Sequence, residues 1–112
     1  MDALMKKVAA IGIPALVLIV AIEVTGLAGA AAITAALAAL GPGGILGGIL
    51  FLGLIGLAAH TIAEYGMEAV VKAVVKELLK KNSKEEMIAK VKHYPITRGL
   101  KLKTIEYINH FA

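Results

Sequence analysis

The 112-residue chain contains no cysteine. This excludes disulfide bridges, cysteine nucleophiles and thiolate metal sites, and leaves the redox compartment open. Tryptophan is also absent, and three tyrosines and two phenylalanines are the whole aromatic content. Rings of the kind that anchor membrane-spanning segments at the lipid headgroups are therefore scarce. Charge is missing from one long stretch: over residues 8–59 the single ionisable carboxylate or ammonium is Glu23. Glycine clusters at 41–44 (GPGG) and 44–48 (GILGG) have no Gly-Lys-Ser/Thr after them and no strand before them, which excludes a phosphate-binding loop of the nucleotidase kind.

What fills the chain is apolar side chain. Hydrophobic residues make up 59% of it and the mean hydropathy is +0.83, above the roughly 45–50% apolar usage of an ordinary globular domain. The length suits one domain. Charge is segregated: in residues 1–63, Lys6 and Lys7 balance Asp2 and Glu23, so the whole net charge of +4 belongs to 64–112. A basic helical half beside an apolar one suits an anionic bilayer surface, or equally a solvated face that keeps an oily protein dispersed. Lys6 and Lys7 ahead of an apolar run have the charge order of a secretory signal, but the run continues without a polar break and no cleavage site stands out.

Read in order, the pattern predicts helices. The first covers 8–25, or begins near Ile13 with Pro14 in its first turn, because proline has no N–H to donate inside a helix. Gly26 and Gly29 bracket a break, an alanine-rich helix covers 30–40, and GPGG stops it. A third apolar segment, 45–61, holds Gly47, Gly48, Gly53 and Gly56. Glycine weakens a helix, so these four predict close helix packing, as small residues permit in membranes, or a glycine-softened core helix. From 62 to 81 the sequence turns amphipathic. Met67, Val70, Val71, Val74, Val75, Leu78 and Leu79 form an apolar stripe opposite Glu64, Glu68, Lys72, Lys76 and Lys80. Glu68 with Lys72 and Glu77 with Lys81 have ion-pair spacing. Asn82 marks a turn, Ser83 with Glu86 a capping box for a helix to Tyr94 before Pro95, and Thr97 the cap of a last helix carrying Leu100, Leu102, Ile105, Ile108 and Phe111.

The residues offer little catalytic chemistry. Glu23, His60, Glu64, His93 and His110 are the acid–base candidates, and none stands in a histidine pair of metal-ligand spacing. His60 and Glu64 lie one helical turn apart and read most simply as a structural pair. Glu23 is an intramembrane ionisable residue if its helix lies in lipid, and a surface carboxylate if it does not. Lysine alternates with glutamate on the same helices and stacking rings are few, so nucleic acid is not an expected partner. No enzyme, cofactor, metal or small-molecule substrate is expected.

Gly12-Ile13-Pro14-Ala15, an apolar helix with one glutamate before a glycine-containing turn, a second apolar helix ending in Gly41-Pro42-Gly43-Gly44, a third, and then a lysine-bearing amphipathic helix resemble the circular bacteriocins of the enterocin type. The resemblance covers about residues 11–82 and implies a saposin-like bundle of short helices that docks on anionic membranes and permeabilises them. It implies that Lys72, Lys76, Lys80 and Lys81 match that family's basic cluster and Glu23 its lone early carboxylate. The chain differs by a longer third apolar segment and a capped tail of about thirty residues.

The expected fold is all-α with five or six helices: an apolar Gly/Ala-rich block over 1–62, membrane-inserting or core, then amphipathic basic helices over 63–112. Two arrangements hide the apolar surface, a bundle folded on itself or insertion with the lysine stripe along the interface. The leading functional expectation is a membrane-active, pore-forming, bacteriocin-like protein, located in or targeted to membranes. It binds anionic lipid through Lys72, Lys76, Lys80 and Lys81 and self-associates through Gly47, Gly48, Gly53 and Gly56. The alternative is a structural or interaction protein, an integral membrane subunit or a building block of a helical assembly, whose basic tail docks a partner.

Overall fold

Residues 1–25, 48–94 and 96–112 are described by the structure, a computed structural model. They form six helices: α1 (Asp2–Ile11), α2 (Ile13–Thr25), α3 (Gly48–Tyr65), α4 (Met67–Leu78), α5 (Lys84–His93) and α6 (Arg98–Phe111). The expected alanine-rich helix at 30–40, its GPGG stop and Gly47 lie outside the described residues.

Helix α2 is the centre. Ile13 and every residue from Ala15 to Ile22 are buried, and the helix touches each of the other five. A helix apolar all round has to be covered all round, by lipid or by protein. Here the covering is protein: Leu4 and Val8 of α1, Leu54 and Ala58 of α3, Val70, Val71, Val74 and Val75 of α4, Met87 and Val91 of α5, and Leu100 and Ile108 of α6 share one core with it. The radius of gyration is 12.4 Å, against about 13 Å for a single folded domain of this length.

This corrects the membrane-inserting reading. Among the described residues no helix is long and apolar enough to cross a membrane. With 13 residues, α2 is roughly 20 Å long, well short of the ~30 Å hydrocarbon layer. Helix α3 has 18 residues, but His60, Thr61 and Glu64 interrupt its apolar character in the last two turns. The expectations of a membrane location, an anionic bilayer as partner, and insertion with pore formation depended on such spans and are overturned with them. Of the two ways of hiding apolar surface, the folded bundle is the one formed.

Two helix boundaries are set by glycines. Of the two expected starts for the first apolar helix, the one near Ile13 with Pro14 in its first turn is formed, and Gly12 (φ +90°) separates it from α1, so Lys6 and Lys7 sit inside a helix rather than ahead of the first one. The predicted amphipathic helix over 62–81 is broken at Gly66, also φ +90°, a region almost closed to residues with a Cβ. Its first residues extend α3. Elsewhere the capping and turn signals hold. Ser83 accepts from the Glu86 N–H and Glu86 accepts from the Ser83 N–H, completing the capping box. Thr97 accepts from the Leu100 N–H, and Asn82 donates to the Leu78 carbonyl at the turn.

In α6 the buried stripe is Leu100, Thr104 and Ile108, and Leu102 points outward, 57% exposed. Thr104 is tolerated in the core because its hydroxyl donates to the Leu100 carbonyl at 2.8 Å, as Thr61 does to Leu57 at 2.7 Å. Lys101 reaches across to the Lys92 carbonyl at 2.7 Å, satisfying an acceptor at the end of α5.

Candidate functional site

The exposed face of α4 carries Glu68, Lys72 and Lys76, each one turn beyond the last. The end of α6 lies alongside. Between them runs an open groove of about 720 Å³, lined by Tyr65, Glu68, Ala69, Lys72, Lys76, His110 and Phe111. The burial of Val70, Val71, Val74 and Val75 on the opposite face of α4 forces the lysines outward. No described residue pairs with the Lys72 or Lys76 ammonium. The groove thus holds two unneutralised cations beside ring faces.

The wall formed by His110 and Phe111 is backed by an aromatic stack. Tyr107 and Phe111 stack with centroids 6.1 Å apart and planes 8° from parallel, and His110 meets Phe111 edge-on at 4.6 Å. The Lys103 ammonium stands 5.1 Å from the Tyr107 ring centre, within cation–π range. Behind the stack, the Tyr107 hydroxyl donates to Glu23 at the end of α2, and Lys103 lies 3.7 Å from the other Glu23 oxygen. Burial, then the Glu23 hydrogen bond and the negative charges of Glu23, Glu106 and Glu68, hold the Tyr107 hydroxyl protonated well above the ordinary tyrosine value.

The predicted basic cluster is therefore divided. Lys72 and Lys76 face the groove, whereas Lys80 and Lys81 line a separate hollow of about 180 Å³ with Ala9, Gly12, Glu77, Leu78 and Asn82. There the ion pair is Glu77 with Lys80 at 2.7 Å, in place of the expected Glu77 with Lys81. His60 and Glu64 approach to 3.9 Å on an exposed surface. Glu23, with its side chain 31% exposed, lies at the surface tied to α6, and no described helix is long and apolar enough to carry it across a membrane. Of the glycines, Gly53 faces the Lys7 side chain, whose Nζ lies 3.4 Å from where a Cβ would stand, and Gly56 has no described atom within 4 Å of that position. Gly48 opens α3. Among the described residues no three histidine or carboxylate side chains gather as metal ligands.

Sequence reasoning missed Tyr65, Tyr107, Phe111 and Lys103. A signal was present: Tyr107, His110 and Phe111 fall at i, i+3 and i+4, one face of a helix. Comparison with family models, curated proteins and solved structures found no match.

Proposed function

We propose that this chain is an interaction protein without enzymatic activity, a helical building block whose basic half docks a short acidic segment of a partner in the groove between α4 and α6. The observation that carries the reading is the pairing of Lys72 and Lys76, unneutralised and one turn apart, with the exposed ring of Tyr65 and the partly buried ring of Phe111. Cations next to rings suit a segment that brings carboxylates and an apolar or aromatic side chain together. The groove is open along its length, which suits an extended segment laid across the surface rather than an enclosed small molecule.

Charge order narrows the partner further. Along α4 the groove reads minus, plus, plus from Glu68 to Lys76. A continuous phosphate backbone would meet Glu68 wherever it tracked the helix, which argues for a short acidic peptide over nucleic acid. The chain's own net charge of +4 argues against a second copy presenting its basic half to the same groove.

Fluorescence anisotropy with a labelled Glu-Glu-Phe-Glu-Glu peptide at low salt tests this. Binding should weaken roughly tenfold or more in the Lys72→Glu, Lys76→Glu double variant, the effect of turning two attractions of several tenths of a kcal/mol into repulsions. Equal binding by the variant overturns the reading. So does a single-stranded oligonucleotide that binds the protein more tightly than the peptide.

A further inference from the structure

The groove has two kinds of wall. Lys72 and Lys76 supply charge from the middle of a well-buried helix, while Phe111, the last helical residue of α6, supplies a ring that packs only in part against the core. Something must hold that ring if it is to contribute a defined surface. Phe111 stacks on Tyr107, and the Tyr107 ring is itself fixed at two points, by the Lys103 ammonium near its ring and by Glu23, which accepts its hydroxyl proton. Glu23 stands one residue beyond the buried Ile22 of α2. The rigidity of the most enclosed helix is thereby carried through one hydrogen bond and one stack to the groove.

We infer that Glu23 is a positioning residue for the groove: by holding Tyr107 it sets Phe111 as a wall that selects an aromatic side chain next to the partner's carboxylates, while Lys72 and Lys76 read the carboxylates themselves. The inference rests on the docking function proposed above. It divides specificity between two groups of residues that contact the ligand differently, and it places the control of one of them outside the groove.

Two measurements test it, and the first needs no ligand. In the wild-type protein, NMR should show cross-peaks between the Tyr107 and Phe111 rings. These should weaken or vanish in Glu23→Ala and persist in Glu23→Gln, whose amide oxygen still accepts the hydroxyl proton. Ring contacts unchanged in Glu23→Ala overturn the inference, whatever the peptide does. The second compares Glu-Glu-Phe-Glu-Glu with Glu-Glu-Ala-Glu-Glu. Wild type should prefer the phenylalanine peptide by up to about tenfold. Glu23→Ala should lose most of that preference yet keep its affinity for the alanine peptide and its salt dependence, whereas Glu23→Gln should retain the preference. A preference untouched by Glu23→Ala refutes the specificity role. If wild type binds neither peptide, the docking function fails, and the ring contacts still decide whether Glu23 positions Phe111.

Discussion

The Tyr107 hydroxyl donates its hydrogen bond to Glu23, 84 residues earlier in the chain. The one charged side chain of the long apolar stretch is thus committed to the last helix of the fold. Carboxylate, phenol and the Lys103 ammonium form a small polar clasp over the seam between α2 and α6, where the apolar packing below is continuous.

Alkaline pH should open that clasp. Burial and the neighbouring carboxylates raise the Tyr107 value in the folded protein above the 10.0 of an unstructured tyrosine. Above that pH the unfolded chain releases a proton that the folded one keeps, so the folded state binds more protons and stability falls as pH rises. The contribution is complete below pH 10 and lost as the pH climbs through the folded value. Burial raises Tyr94 in the same direction. Tyr107→Phe should flatten the pH 9–11 slope in denaturant midpoint; an identical slope in wild type and variant would contradict the assignment.

The two glycine corners and the glycine in mid-helix should respond oppositely to alanine. Gly12 and Gly66 have φ +90°, so Gly66→Ala should destabilise by roughly 1–3 kcal/mol from backbone strain. Gly56 lies inside α3 with no described atom within 4 Å of where a Cβ would stand, so Gly56→Ala should stabilise by up to about 1 kcal/mol through helix propensity. Urea denaturation of the two variants gives the signs directly.

Leucine truncation should distinguish the central helix from the solvent face of α6. Leu16 is fully buried and Leu102 is 57% exposed. Leu16→Ala should cost about 2–5 kcal/mol, a large share of a typical stability of ~5–15 kcal/mol, and Leu102→Ala should stay within about 0.5 kcal/mol. Thermal denaturation of both variants tests the difference, and comparable losses would place Leu102 in the core.

Removal of the Ser83 hydroxyl should cost about 1 kcal/mol, because the Glu86 N–H it caps at 3.1 Å has no intrahelical acceptor at that position. Glu86→Gln should cost less, since an amide oxygen still completes the box. A Ser83→Ala variant as stable as wild type would show that water replaces the cap at no cost.

The capping, turn and stripe signals of the sequence are faithful, whereas the expected ion pairs of Glu68 with Lys72 and of Glu77 with Lys81 do not form among the described residues. The stripe from Val70 to Leu78, the Ser83 and Glu86 box, the Thr97 cap and the Asn82 turn each depend on residues within about four positions of one another, and each appears as read. What one stretch of chain does not encode is which medium covers an apolar helix. Ala15 to Ile22 would look the same against lipid tails as against Val74 and Ile108, and only the assembled neighbours distinguish the two. Helix α1 is obscured for a related reason: Lys6 and Lys7 interrupt its apolar pattern, and its inner face is marked only by Leu4 and Val8, four residues apart. Gly66 interrupts a periodicity that continues on both sides, so its φ was invisible in the pattern. The groove was half legible: Lys72 and Lys76 stood out by spacing, but no local signature joins Glu23 to Tyr107 across most of the chain.

The single-residue corners at Gly12 and Gly66 leave these joints without slack. An inserted residue within the first turn of α4 would spin everything after it by about 100° about the helix axis, swinging Val70 and Val74 toward water and driving Lys72 or Lys76 at the centre of the fold. Insertions and deletions should therefore be lethal to folding at 12–14 and 66–69, yet absorbed at the turn of 79–83, where α4 gives way to α5 over several residues rather than one.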